Sequence, residues 1–346
     1  MDGEYDCHSV LRDSGTVMGR VLVLKEGGML LIEALFDEII TTCAPLAKNG
    51  EVASYIPALQ DVDPFQFGIS VADNHGKIYS AGDSDVRFSI QSISKVFIFT
   101  CALIDSGVSR VLERVSIEPT SDSFNSIISL ELKNSGKPLN PMINAGAIAC
   151  LTLIAGESSQ EKVRRVLAIA RDVSGNRMVD IDENVYLSEK ITDSRNRALA
   201  YYMKSTGIIA GDVETLLDAY FRICSIRMDC LDLAKTALLY AGNGMSHYSG
   251  GQVFCADIAR LVKATMTMCG MYDESGRVAA SVGLPTKSGV GGGILSIVPE
   301  HRTGVHGMNG AMGIGIYGPA LNAKGSSIAG LNALEMFSQR LKLSIF

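Results

Sequence analysis

Ser92 and Lys95 stand three residues apart in Phe88-Ser89-Ile90-Gln91-Ser92-Ile93-Ser94-Lys95-Val96-Phe97-Ile98-Phe99. On a helix that spacing puts both side chains on one face, so a lysine kept neutral by burial could take the serine proton. The serine oxygen would then attack a carbonyl and hold the acyl group covalently. The same pattern recurs in Ser159-Gln160-Glu161-Lys162, but beside Arg164 and Arg165, where a solvated lysine keeps its proton. Phe88, Val96, Phe97 and Phe99 instead surround Ser92 and Lys95 and favour desolvation. Ser89 reads as an N-cap and Gly107 as the stop of this helix. A capping serine with a snorkelling lysine is the competing reading of the same residues.

Lys287-Ser288-Gly289-Val290-Gly291-Gly292-Gly293 is a second candidate. Its glycines let backbone approach a ligand and free N–H groups to point into a site. Acyl transfer needs such donors, since losing one costs about 3 kcal/mol of transition-state stabilisation. A turn feeding a strand is the alternative. An early Ser-x-x-Lys at a helix start with a late Lys-Ser-Gly beside a strand is the pairing seen in serine β-lactamases and penicillin-binding proteins.

The elements that must position these groups follow from periodicity. Met29 to Leu46 carries apolar residues at helical spacing, and Phe67 to Ala72 and Lys77 to Ala81 read as a hairpin about Asp73-Asn74-His75-Gly76. Six helical segments follow: Ala145–Ala155, Gln160–Val173, Arg195–Ser205, Val213–Cys224, Leu231–Ala241 and Ala256–Cys269. Strand signals return at Gly293–Val298 and Met312–Tyr317, before a helix from Ile328 to about Leu341. The expected fold is α/β in the α+β sense. An antiparallel sheet built from N- and C-terminal segments is flanked by helices, and an all-helical lobe is inserted. A sheet lobe over about 29–90 and 285–346 and a helical lobe over about 91–284 would leave a cleft with Ser92 at the junction.

Composition narrows the class of partner. The chain has 346 residues, 47% of them hydrophobic, and a formal net charge of −6 without a Lys/Arg block. Neither nucleic acid nor an anionic membrane is the expected partner, which leaves a small molecule. Asp2, Glu4 and Asp6 open the chain where a secretory signal would be basic, and apolar runs such as Val96 to Ile104 are too short to span a bilayer. Cys7, Cys43, Cys101, Cys150, Cys224, Cys230, Cys255 and Cys269 read as reduced thiols in a cytoplasm, and His8, His75, His247, His301 and His306 form no ligand motif, so no metal or other cofactor is expected.

Longer blocks carry a resemblance. Tyr55-Ile56-Pro57, Asn140-Pro141-Met142-Ile143-Asn144-Ala145-Gly146-Ala147-Ile148, Ser188-Glu189 with Arg195-Asn196, and Asp218-Ala219-Tyr220-Phe221 with Cys224-Ser225-Ile226 are the first of them. Gly270-Met271-Tyr272-Asp273 and Gly283-Leu284-Pro285-Thr286-Lys287-Ser288-Gly289-Val290 complete the set. In order and spacing they resemble the serine-dependent glutaminase family from about residue 30 to the C-terminus. The resemblance implies one catalytic domain over 29–346, a homodimer or homotetramer, and hydrolysis of L-glutamine to L-glutamate and ammonia through a glutamyl-serine intermediate. By the same resemblance Ser92 is the nucleophile, Lys95 its partner, Tyr272 a proton carrier and Tyr55 a second site tyrosine. The N–H groups of Ser92 and Val290 match the oxyanion hole, and Asn144, Glu189, Asn196 and Tyr220 the substrate contacts.

Those residue types suit a zwitterionic amide. Glu189 is the acid for the ammonium, while Asn144, Asn196 and Tyr220 offer neutral donors for the carboxylate. Each also has a plain structural role open to it: Asn144 could cap the helix at Ala145, Glu189 could pair with Lys190 or Arg195, and Tyr220 could be helix core. Two segments depart from the family pattern, a long stretch over 299–311 and Gly325-Ser326-Ser327 where Gly-Asn-Ser is common. Residues 1–28 form an extension with no counterpart. Another serine amidase or β-lactam-reactive hydrolase, or a catalytically silent glutamine-binding protein, would share the scaffold.

Overall fold

Alternating apolar runs around two turns build the sheet. Gly68–Asp73 (β1) and Ile78–Gly82 (β2) pair antiparallel, and Asp73 Oδ1 closes their turn by accepting from the His75 and Lys77 N–H groups at 2.9 and 2.8 Å. Phe88–Ser89 (β3), Asp180–Ile181 (β4) and Ile226–Met228 (β5) are short. Thr286–Ser288 (β6), Gly293–Val298 (β7) and Met312–Tyr317 (β8) come late in the chain. The main sheet runs β2-β1-β8-β7-β6, all antiparallel, so the first strand among the described residues pairs with the last. These observations come from a computed structural model that describes residues 28–120, 126, 137–246, 250–300 and 310–346. Residues 1–27, most of the 299–311 stretch, Cys7, His8, His247, His301 and His306 lie outside the described residues.

β1, β7 and β8 are buried along their whole length, which demands a cover on each face. One face packs Ile69, Val71, Ile294 and Ile314 against Ile32, Phe36 and Ile39 of α1 (Gly28–Cys43) and against the C-terminal helix Ile328–Leu341 through Leu334 and Phe337. The other face meets Cys230–Ala241, buried through Leu233, Ala234, Ala237 and Leu238. There the contact is backbone on backbone. A Cβ at Gly313 would lie 1.9 Å from the Ala234 carbonyl oxygen, and one at Gly315 2.0 Å from that of Cys230.

The strands and helices expected after residue 143 are present within a few residues of their predicted ends, with additions: β6, the short helix Ser275–Ser281 and the two that follow. Glu183–Thr192 is a further helix, capped by Asp182 through the Asn184 and Val185 N–H groups. β3, β5 and β4 form a small antiparallel sheet within the otherwise helical segment, in the order β3-β5-β4. Arg227 ties β5 to β4 by pairing with Asp180 at 2.7 Å. The helix after Ser92, α2, spans Ser94–Arg114 and is broken at Gly107, where φ is 77° and ψ 158°. The expected stop is thus a real discontinuity, beyond which a helical segment resumes. No helix among the described residues is long and apolar enough to cross a membrane.

Candidate active site

The chain reaches Ser92 through β3 and a tight turn, and this decides how the serine is held. A 3-10 turn over Gln91–Ile93 precedes α2, with Gln91 at φ 48°. A non-glycine residue in the left-handed region is strained and persists only where its surroundings hold it. Ser89 Oγ does that holding, accepting from Gln91 Nε2 at 2.9 Å and donating to the Cys224 carbonyl at 3.1 Å. Ser89 is therefore a strand residue and not the N-cap expected from sequence; the cap position falls at Ile93, which offers no side-chain acceptor. From the opposite side the glycine loop closes on the same turn. A Cβ on Gly289 would lie 2.3 Å from the Ile90 carbonyl oxygen and 3.3 Å from Ser92 N.

Lys95 Nζ donates to Ser92 Oγ at 2.5 Å, and both residues are buried. Burial brings the Lys95 ammonium down to about 8, against the opposing influence of Cys224, Glu189 and Asp193. The second Ser-x-x-Lys pair does not meet. Ser159 Oγ bonds Asp218 Oδ2 at 2.8 Å, while Lys162 Nζ reaches the Ile154 carbonyl at 2.5 Å.

Tyr272, another left-handed residue at φ 54°, brings its hydroxyl to Ser92 and to the Ser288 carbonyl, the latter at 3.4 Å. Its ring is half-buried, but the hydroxyl sits among buried partners, so burial pushes the phenol up to about 12 while those two bonds pull it down. Lys287 is fully buried in β6, and burial, then Lys95, pushes its ammonium well below the ordinary lysine value. A base and a phenol thus converge on one serine oxygen, with a neutral-leaning lysine packed against the phenol.

A cavity of about 240 Å³ opens at Ser92 and is lined by Asn144, Glu189, Asn196, Tyr220, Tyr55 and Val290, among others. Of the sequence-predicted substrate residues, Asn144, Glu189, Asn196, Tyr220 and Val290 thus share one cavity with Ser92 and Lys95, while Tyr272 borders the outer cleft instead. Tyr55 is 59% exposed and stands at the mouth. With Tyr272 and Val290 it also borders a larger outer cleft of about 780 Å³ that contains the Lys324–Asp273 ion pair.

Of the plain roles open to these residues, Tyr220 alone fills its own, as buried helix core. Asn144 is the first residue of the helix Asn144–Leu151, and its Nδ2 donates to Asn196 Oδ1 at 2.8 Å. Lys190 pairs with Asp218 at 2.6 Å and not with Glu189. Tyr220 is buried in the helix Val213–Cys224, yet lines the cavity. Two buried acceptors on residues that line the cavity, Asn144 Oδ1 and Glu189 Oε2, have no hydrogen-bond partner among the described residues. Burial and then the neighbouring Asp193 push the Glu189 carboxyl up to about 8, with Lys95, Gln91 and Ser225 acting the other way.

Sequence reasoning passed over Gln91, Asp193 and Cys224 as lining residues. Asp193 had a visible signal: an acid three residues before Asn196, at the N-cap of the helix Ser194–Ser205, where its side chain accepts the Asn196 N–H.

Residues 50–346 match the glutaminase family model. A glutaminase of Clostridium tetani is 50% identical over 316 residues, covering 91% of this chain and all of the relative. A Bacillus subtilis probable glutaminase superposes with a TM-score of 0.86 at 41% identity, covering 92% of this chain and 98% of that one. A second Bacillus subtilis structure is a covalent complex between a glutaminase and 5-oxo-L-norleucine formed from 6-diazo-5-oxo-L-norleucine; it superposes at 0.81 with 40% identity over 91% of this chain and 99% of that one. A match of that length, carried by the chain that holds Ser92, Lys95 and the cavity beside them, places this protein in the glutaminase family.

Proposed function

We propose that the enzyme hydrolyses the side-chain amide of free L-glutamine through a glutamyl ester on Ser92. The observation that carries this reading is Lys95 Nζ, at 2.5 Å from Ser92 Oγ, at the floor of a cavity whose lining residues carry two acceptors without a partner among the described residues. Neutral Lys95 takes the Ser92 proton as Oγ bonds to the amide carbon. The resulting oxyanion is met by the N–H groups of Ser92 and Val290, a role supported by the close packing of Gly289 on the Ser92 turn. As the C–N bond breaks, Tyr272 hands a proton to the leaving nitrogen, which departs as ammonia, and is reprotonated from Lys95. Water then attacks the ester, returns its proton to Ser92 through the same groups, and releases L-glutamate.

The reactivity of the Bacillus subtilis relative with a diazo-oxo analogue of norleucine agrees with a covalent intermediate. The charged and amide groups at the far end of the cavity suit both α-groups of an amino acid, which a β-lactam lacks in this arrangement. On the family resemblance we read the enzyme as a cytoplasmic homodimer or homotetramer over a catalytic unit of residues 29–346.

The test is ammonia release from L-glutamine by wild type and Ser92→Ala, with L-asparagine and a chromogenic β-lactam alongside. Turnover of glutamine alone, falling by on the order of 10³-fold or more in the variant, is expected. Turnover of the β-lactam alone would instead favour the wider amidase reading, and binding of glutamine without turnover the silent one.

A further inference from the structure

Asn144, Asn196 and Asp193 are joined in a directional chain. Asp193 is a carboxylate held by the Asn196 N–H at 2.9 Å and by Asn196 Nδ2. An ionised carboxylate only accepts, so Asn196 must turn its amide nitrogen toward Asp193 and its Oδ1 away. That oxygen can be satisfied only by a donor, and Asn144 Nδ2 supplies it at 2.8 Å. The Asn144 amide is then fixed as well, by chemistry and not merely by the choice between two isosteric placements. Its Oδ1 is left buried and without a partner among the described residues, as is Glu189 Oε2, and both belong to residues that line the cavity.

We infer that Asp193 is a positioning residue which, through Asn196, sets Asn144 as an acceptor, so that Asn144 Oδ1 and Glu189 Oε2 together receive the substrate's α-ammonium. This deepens the glutamine reading and rests on it. It also moves Asn144 from the carboxylate, where its residue type alone had placed it, to the opposite charge. Buried acceptors without partners are costly and rare in folded proteins, and a ligand ammonium with three N–H donors answers both. A ligand lacking that ammonium leaves them unpaired, which is the strongest form of discrimination a polar pocket has.

Asp193→Asn tests the relay. The new amide still accepts the Asn196 N–H through its oxygen, but can present a donor where Asn196 Nδ2 needs an acceptor. Asn196 then reverses, Asn144 reverses with it, and an N–H faces the ammonium. The KM for L-glutamine should rise at least tenfold, with kcat affected less. The Ki of glutarate, which has no amino group, should stay within about twofold. Asp193→Glu keeps an acceptor for Asn196 Nδ2, so Asn144 keeps its orientation and KM should rise much less than in Asp193→Asn.

An unchanged KM in Asp193→Asn, a glutarate Ki that rises in step with KM, or an Asp193→Glu variant no better than Asp193→Asn would overturn the inference. Wild type assayed in parallel keeps the two readings apart, because failure of the glutamine reading appears there and failure of the relay only in the variants.

Discussion

Lys287 Nζ lies 4.5 Å from the centroid of the Tyr272 ring and donates at 2.6 Å to the Ser288 carbonyl, the oxygen that Tyr272 also reaches. The lysine thus touches both the face and the anchoring partner of the phenol. It does not line the cavity. Lys287→Met should therefore loosen Tyr272 without altering substrate contacts. We expect kcat to fall by roughly 10- to 100-fold, up to the low end of one acid–base contribution, with little change in KM. A rise in KM at constant kcat would place Lys287 in binding instead.

The pH dependence follows from two groups. Lys95, held down to about 8 by burial, must be neutral to take the serine proton. Glu189, held up to about 8 by burial and by Asp193, must be ionised to meet the ammonium. Both requirements are met as pH rises, and the two groups titrate as a coupled pair. Steady-state kcat/KM should climb between about pH 6 and 8 with a slope steeper than one decade per unit. A flat profile over that window would contradict both assignments.

The raised carboxyl also has a stability consequence. Glu189 keeps its proton in the folded state up to about 8, whereas its ordinary value is 4.5. Its contribution to stability is therefore full below 4.5 and lost as pH rises through about 8, where the ionised form is buried. Glu189→Gln removes that loss. Thermal denaturation near pH 9 should show the variant melting higher by roughly 2 to 5 °C, with no difference near pH 4. In the same protein, kcat/KM for glutamine should drop by on the order of 100-fold.

The glycine loop separates main-chain from side-chain effects. A methyl at Gly289 would sit 2.3 Å from the Ile90 carbonyl oxygen, so the loop and the serine turn would have to part. Gly289→Ala should lower kcat by on the order of 10² or more, through the oxyanion donors. Val290 is buried with Ile56, Leu59 and Leu321, and Val290→Ala should cost only roughly 1 to 2 kcal/mol of stability while leaving most of kcat. Equal losses of kcat in the two variants would deny the backbone its role.

Much of this arrangement was readable from residue order. β7, β8 and the C-terminal helix lie where their apolar runs begin and end, because the two strand runs are short, rich in Ile and bounded by glycine or proline, and the helix run is long and periodic. The helix that carries Glu189 was not readable. In Glu183–Thr192 the apolar residues split, with Val185 and Tyr186 buried but Leu187 50% and Ile191 79% exposed, so no stripe marks it. The Ser89 cap was misread because β3 is two residues long, too short to show a strand period before the turn begins. Residue type placed Asn144 with the carboxylate, and only the hydrogen-bond directions from Asp193 show that its Nδ2 is engaged and its Oδ1 is the end left over.

The two bare positions on β8 reach further than their own strand. With Gly313 and Gly315 seated against the Ala234 and Cys230 carbonyls, a slip of one residue would drive Ile314 or Ile316 into a helix backbone that has no room for it. β8 is therefore keyed to its helix like a notch on a rail. β7 takes its register from β8, and β6 from β7, as Leu295 faces Gly315 on one side and Lys287 on the other. The alignment of the glycine loop with the reactive serine is thus handed across three strands from a place where two side chains are missing, and a mutation there would misalign catalysis without touching any group that performs it.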